Sequence, residues 1–239
     1  IFPLKFLQDI AVHALAMAVK ESIPGIYILG GTSYREQFFC DFIFRKPFEE
    51  HYLLHLENRI KFFAEEKHTI ECREMLFSNA IEYLKSEGNR FRAAMLQNFS
   101  GATLGRIDIG EHFVDFTGMD IEDFPEDLDL SILRYIRLMN FETSKRDING
   151  RSYDVTRIVG IIGNTKKELK NAAKQLAYSE KQKSYEDNYL RSFEGKVKQF
   201  FVSPKGLARK DRMIDLWKKE MKEGDFSLIQ TASVLPQNE

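Results

Sequence analysis

Apolar side chains between Leu4 and Glu21 recur at close to helical spacing, and Pro24-Gly25 follows as a stop, so this opening segment predicts a helix. Asp9 and His13 stand four apart and share one face of it. Short apolar runs at Ile26–Leu29 and Gln37–Phe44 predict strands, the second closed by Arg45-Lys46-Pro47. Phe48–Lys67 predicts a helix with Leu53, Leu56, Ile60 and Phe63 inward, and a strand follows at Thr69–Arg73. Ser78–Glu87 predicts a second helix ended by Gly88. Arg106–Phe116 alternates well enough for one or two strands, and the acidic stretch Asp120–Asp129 reads as a loop.

Strands are then expected at Ile132–Met139 and Asp154–Ile162, around a turn at Asp147-Ile148-Asn149-Gly150. Thr165-Lys166-Lys167-Glu168 has the form of a capping box and opens a charged helix to about Lys183. The polar segment Ser184–Gly195 reads as a linker. Beyond it come a strand at Gln199–Val202, a helix at Gly206–Lys222 and a strand at Ser227–Ala232. Helices interleaved with antiparallel-type hairpins predict an α+β fold, a mixed or antiparallel sheet packed with helices and followed by a helix-and-strand C-terminal segment.

Composition narrows the function classes. The chain has 239 residues, 20 of them phenylalanine, which suits a packed core of one large domain or two small ones. Its formal net charge of -1 supplies no global field for nucleic acid, so any RNA contact must come from local patches. Cys40 and Cys72 form no CxxC pair, which points to a reducing compartment. The apolar run Ile10–Val19 is too short to span a bilayer and lacks a signal-peptide flank. The reading is therefore of a soluble protein with no membrane partner, in the cytoplasm or the mitochondrial matrix. Ile1 in place of Met marks a fragment, a processed product or a trimmed form.

Several candidate groups have plain structural explanations. His51 and His55 lie at i, i+4 on a helix with His68 beyond, yet no cysteine or carboxylate pair accompanies them at metal spacing, so solvent exposure is expected. Cys40 and Cys72 sit on strands and read as small hydrophobes. Gly30-Gly31 and Gly101-Ala102-Thr103 lack the strand–loop–helix context of a phosphate loop and read as turns. Basic residues gather late in the chain: Lys166, Lys167, Lys170 and Lys174 on one helix, and Lys205, Arg209, Lys210, Arg212, Lys218, Lys219 and Lys222 on the last.

A set of motifs in fixed order carries a resemblance. Ala11-Val12-His13-Ala14-Leu15-Ala16-Met17-Ala18-Val19-Lys20-Glu21 followed by Pro24, then Gln37-Phe38-Phe39-Cys40-Asp41-Phe42, Phe113-Val114-Asp115-Phe116, Arg157-Ile158-Val159-Gly160 and Thr165-Lys166-Lys167-Glu168-Leu169 resemble successive pieces of the second additional, or editing, domain of threonyl-tRNA synthetases. Pro204-Lys205-Gly206 and Trp217-Lys218-Lys219-Glu220 resemble the entry to the class II catalytic domain of that family. The resemblance implies an editing-domain-like α+β domain at 1–163, a connecting helix and linker at 164–195, and a partial class II segment at 196–239. It also implies tRNA as a partner, through phosphate contacts from Lys166, Lys167, Lys170, Lys205, Arg209, Lys210 and Arg212.

The editing pocket of the family uses two histidines, a cysteine and a third histidine to hydrolyse mischarged seryl-tRNA. Here the matching positions are Asp9, His13, Thr117 and Ile121. Groups that move protons near neutral pH have been lost from a set that works as a unit, so the pocket is expected to be inert. Asp9 is expected to pair with His13 or to cap nearby backbone. Two ligands are fewer than the three a catalytic zinc site takes, so no metal and no cofactor is assigned. The adenylate-forming motifs are missing, so aminoacylation by this chain alone is excluded on this reading. The alternatives are a structural mitochondrial large-subunit ribosomal protein of the same ancestry, with ribosomal RNA and ribosomal proteins as partners, and a surviving trans-editing hydrolase.

Overall fold

The computed structural model describes residues 2–96, 101–111, 113–119, 124–194 and 198–224. In chain order the elements are α1 (Leu4–Ser22), β1 (Tyr27–Tyr34), β2 (Gln37–Ile43), α2 (His51–Glu65), β3 (Ile70–Leu76), α3 (Phe77–Ser86), α4 (Arg90–Leu96), β4 (Thr103–Ile109), β5 (Phe113–Thr117), a 3-10 turn at Leu130–Leu133, β6 (Ile136–Ile148), β7 (Arg151–Ile162), α5 (Lys166–Tyr189), β8 (Leu190–Glu194), β9 (Lys198–Val202) and α6 (Pro204–Glu223). Among the described residues all the strand pairings are antiparallel, in sheets ordered β1-β2-β7-β6, β3-β4-β5 and β8-β9. The fold is α+β, as expected. The chain divides into two compact units, Ile1–Gln175 and Leu176–Glu239, with α5 crossing the division.

The first unit is organised around α1. From Leu7 to Val19 every residue except Asp9 is buried. A helix apolar around most of its circumference belongs inside a protein, and Ala11, Ala14, Ala16 and Ala18 let neighbouring elements approach it closely. Phe38, Cys40 and Phe42 alternate along β2 and are fully buried in the same cluster, together with Leu56 and Ile60 of α2 and Ile107 and Ile109 of β4. A smaller cluster of Ala80, Leu84, Ala93, Leu104 and Phe116 ties α3 and α4 to β4 and β5.

Local chemistry places the ends of the elements. Asn149 and Gly150 take φ of 54° and 74°, the left-handed pair a two-residue hairpin requires, and Ile148 faces Arg151 across it. The Thr165 hydroxyl accepts from the Glu168 amide, and the Glu168 carboxylate accepts from the Asn164 amide, so the capping sequence works at the start of α5. Gly30 and Gly31, expected as a turn, instead lie within β1 beside a register shift between Ile28 and Gly30. A Cβ at Gly31 would fall 2.0 Å from the Phe39 carbonyl oxygen and 2.8 Å from a methyl carbon of Val12. Their role is close backbone approach, which a strand glycine can supply as well as a turn glycine.

Three other expectations need correction, and one helix had no expectation at all. The strand expected from Ile132 begins at Ile136, because the Asp129 carboxylate accepts from the Ser131 amide and nucleates a 3-10 turn first. Helix α4 was not anticipated, since Arg90 to Leu96 is short and follows the Gly88 stop. Helix α5 continues to Tyr189 and β8 follows, where Ser184–Gly195 looked like a linker; a helix without an apolar stripe has no periodicity to read. His68 is half-buried, its ring edge-on to Phe63 at 5.4 Å, whereas His51 and His55 are exposed. The expected strand Ser227–Ala232 lies outside the described residues.

Replacing Gly31 by Ala is expected to destabilise the first unit by ~3 kcal/mol or more, because the new methyl meets backbone that cannot rotate away. A thermal or urea melt checks this, and an unchanged midpoint would show that β1 and β2 can separate locally.

Candidate functional site

Alternation along β5 points Phe113 and Asp115 inward, and Asp115 ends almost wholly buried beside α1. A buried carboxylate requires compensation, and two neighbours supply it. Nδ1 of His13 lies 2.6 Å from Oδ2 of Asp115, and the Arg92 guanidinium forms an ion pair with Oδ1. Oδ1 also accepts from the Phe116 amide at 2.8 Å, while Arg92 donates to the Phe116 carbonyl at 2.9 Å. Burial on its own would raise the Asp115 carboxyl, but Arg92, His13 and these hydrogen bonds outweigh it and hold it below the ordinary carboxylate range. Asp115 is thus ionised at neutral pH, and Nδ1 of His13 carries the proton it donates.

Arg92 comes from α4, the short helix that sequence periodicity did not reveal. Asn89 just before it offered the available signal: its amide donates to the Ile28 carbonyl, and its side-chain oxygen accepts from the Arg92 amide. The guanidinium passes over Gly30, whose φ of 112° belongs to glycine.

Beside this network lies a cleft of about 270 Å³ lined by Lys5, Asp9, Val12, His13, Gly31, Thr32, Arg92, Phe116, Thr117, Gly118 and Met119. The sequence-derived positions Asp9, His13 and Thr117 therefore share one cavity. Ile121 lies outside the described residues. Asp9 does not pair with His13: its Oδ1 accepts from the Ser33 hydroxyl at 2.9 Å, because the β1 end stands nearer to that face of α1. Burial raises the Asp9 carboxyl above its ordinary value, with Ser33, Lys5 and His13 pulling the other way by smaller amounts. The Thr117 hydroxyl accepts from the Met119 amide at 3.1 Å. A second cavity of about 390 Å³ shares Gly31, Thr32, Arg92, Phe116, Thr117 and Gly118 with the first and adds apolar walls from Leu29, Phe39, Met95, Leu96 and Leu104.

The cysteines stay outside this chemistry. Burial drives the Cys40 thiol far up, with the Asp115 carboxylate adding to the effect, and burial followed by Asp108 pushes Cys72 up to about 11. Among the described residues no three His, Cys, Asp or Glu side chains are placed to hold a metal ion. Lys166, Lys167 and Lys170 are exposed on α5 in the first unit, and Lys205, Arg209, Lys210 and Arg212 are exposed on α6 in the second. Among the described residues no helix is long and apolar enough to cross a membrane.

The two carboxylates have opposite linkage. The Asp115 contribution to stability is complete above the ordinary value of 3.8 and is lost as pH falls through its lower folded value. Asp115→Asn is expected to cost ~3–5 kcal/mol at pH 7, because the buried Arg92 charge loses its partner. The raised Asp9 group is relatively stabilising only below 3.8, an advantage lost as pH rises through its folded value. Asp9→Asn is accordingly expected to raise the melting temperature at pH 7 by roughly 1–3 °C. Melts of both variants between pH 3 and 7 check the pair, and effects of the same sign at pH 7 would contradict the assignment.

No family model matches the chain. It is similar to a threonine–tRNA ligase of Borreliella afzelii (strain PKo), 22% identical over 227 residues that cover 93% of this chain and 38% of the relative. It is likewise similar to a threonine–tRNA ligase of Francisella tularensis subsp. tularensis (strain FSC 198), 25% identical over 178 residues covering 74% of this chain and 27% of the relative. The chain thus spans less than two fifths of the length of these curated relatives, and its distant homologues are threonine–tRNA ligases.

Proposed function

We propose that this chain is a threonyl-tRNA-synthetase-like, tRNA-associated module whose editing-type cleft has lost its hydrolytic chemistry. The observation that carries the reading is how the cleft groups are engaged. Asp9 is held by Ser33, Nδ1 of His13 is held by Asp115, and the Thr117 hydroxyl is held by the Met119 amide. Ester hydrolysis needs a nucleophile or water oriented by a base and an acid for the leaving group, with those groups facing one another. Here each is tied to the scaffold.

On this reading residues 1–163 are the editing-domain-like part, 164–195 the connection, and 196–239 the beginning of a class II segment. Threonine–tRNA ligation then belongs to a longer protein and not to this chain. The tRNA backbone is met by Lys166, Lys167 and Lys170 on α5 and by Lys205, Arg209, Lys210 and Arg212 on α6, all exposed. The ribosomal alternative draws on the altered cleft alone, while the relatives over most of the chain are named as ligases.

A deacylation assay with seryl-tRNA, beside a tRNA-binding titration at two salt concentrations, tests this. The expected result is hydrolysis no faster than in buffer, with binding that weakens steeply as salt rises, roughly tenfold or more between 50 and 200 mM. Hydrolysis abolished by His13→Ala would sink the inert-cleft reading, and absent or salt-insensitive binding would sink the tRNA association.

A further inference from the structure

The four-stranded sheet of the first unit ends in β6, whose inner edge pairs with β7 from Ile136 against Ile162 to Ile148 against Arg151. The turn at Asn149-Gly150 fixes which way its peptide groups point. The closing hydrogen bond of that turn joins Ile148 to Arg151. Counting back along an antiparallel ladder then gives the peptide groups of Arg146, Ser144 and Glu142 to β7, and turns those of Asp147, Lys145, Thr143 and Phe141 outward. At the start of the strand the outer edge is covered, since the Leu138 amide donates to Glu57 of α2. From Phe141 onward no backbone partner meets it among the described residues, and Glu142, Thr143, Ser144 and Lys145 are exposed. No proline and no register shift interrupts Phe141–Asp147, so the stretch is an open strand edge able to template another strand.

A row of charges crosses the sheet to that edge and stops there. Asp41 of β2 stands opposite Arg157 of β7, and Arg157 stands opposite Glu142 of β6. Arg157 binds both Asp41 oxygens and feels the Glu142 charge from its other side. Beyond Glu142 no cation follows among the described residues. We propose that β6 pairs with β6 of a second copy of this chain, antiparallel and two-fold about Ser144, so that Arg146 of each copy faces Glu142 of the other. Side-chain alternation lets an edge pair with itself only about a residue, which leaves Thr143, Ser144 or Lys145 as the centre. Centring on Lys145 sets that lysine against its own copy, and centring on Thr143 sets Glu142 against Ser144. Centring on Ser144 extends the row from Asp41, Arg157 and Glu142 to Arg146 of the second copy, and symmetry does so twice. Lys145, the kind of residue that keeps strand edges from pairing indiscriminately, then meets neutral Thr143, so it selects the register. The outward peptide groups agree. Thr143 faces Lys145 and Phe141 faces Asp147 of the other copy, each such pair exchanging two hydrogen bonds, while Glu142 and Arg146 fall at the closer non-hydrogen-bonded positions. Arg146 has the capacity, because Nη1 donates to Asp41 while Nε and Nη2 make no hydrogen bond among the described residues. The pairing is independent of the tRNA association proposed above.

Sedimentation equilibrium of the full chain, beside hydrogen exchange read at single amides, tests the pairing. Self-association is expected at about 100 μM chain, the weak end of specific contacts. Across that range the Thr143 and Lys145 amides are expected to exchange more slowly as concentration rises. Thr143→Pro removes an outward N–H that β7 does not use, so it is expected to abolish association with the melting temperature unchanged. Glu142→Arg sets like charges face to face twice and is expected to weaken association about tenfold or more. Ser144→Cys brings two thiols to disulfide distance across the symmetry axis. Oxidised glutathione is therefore expected to link that variant into dimers, and to link neither Thr143→Cys, which faces Lys145, nor the parent with its buried Cys40 and half-buried Cys72. A chain still monomeric at about 1 mM, association indifferent to Thr143→Pro and Glu142→Arg, or equal cross-linking of the two cysteine variants would each overturn the pairing. Slow exchange of the Thr143 and Lys145 amides already in the dilute monomer would assign the edge to another segment of the same chain, and would overturn it too. Whether tRNA binds decides none of these outcomes, so the two proposals fail separately.

Discussion

A single buried carboxylate holds the first unit in its observed arrangement. Asp115 on β5 is almost inaccessible to water, and so large a desolvation cost is bearable only while both oxygens are matched. Matching them draws in His13 from α1 and Arg92 from α4, so one charge ties the central helix, the β3-β4-β5 sheet and the short helix beside β1 together. The glycines of β1 follow from the same requirement. Arg92 reaches Asp115 across the face of Gly30, and Gly31 lets the Phe39 carbonyl and Val12 close in behind it. The cleft is the space left over where these elements meet.

Asp9 on α1 and Asp115 packed against it show how environment, and not residue type, assigns a role. Asp115 is ionised because cations and amides surround it, and its charge supports the fold. Asp9, one turn before His13 on the same helix, has a hydroxyl for company and a carboxyl raised by burial.

Much of this was legible in the sequence where the determinant is local. The apolar pattern of Leu4–Glu21, the alternation of Phe38, Cys40 and Phe42, the Asn149-Gly150 turn and the Thr165–Glu168 cap each carry their own period or turn chemistry, and each formed. The gathering of Asp9, His13 and Thr117 at one cavity followed from aligning separated motifs. What the sequence did not reveal depends on partners far along the chain. Asp115 lies 102 residues from His13, and its place in Phe113-Val114-Asp115-Phe116 reads as simple alternation until that histidine is set beside it. Arg92 sits in a helix too short to announce itself. Gly30-Gly31 reads as a turn from residue type alone, and only the register of β1 against β2 shows a strand with close backbone approach instead.

The central claim is that the scaffold of an editing-type cleft persists while its reactive side chains have been exchanged. The direct measurement is single-turnover hydrolysis of seryl-tRNA by the parent chain and by the triple variant Asp9→His, Thr117→Cys, Ile121→His, which restores the side chains of the resembled pattern around His13 and Asp115. The account predicts no hydrolysis above background for the parent and a gain of about 10²-fold or more for the variant, the scale that acid–base groups contribute when correctly placed. A parent that already hydrolyses seryl-tRNA, or a folded triple variant that remains silent, would contradict it.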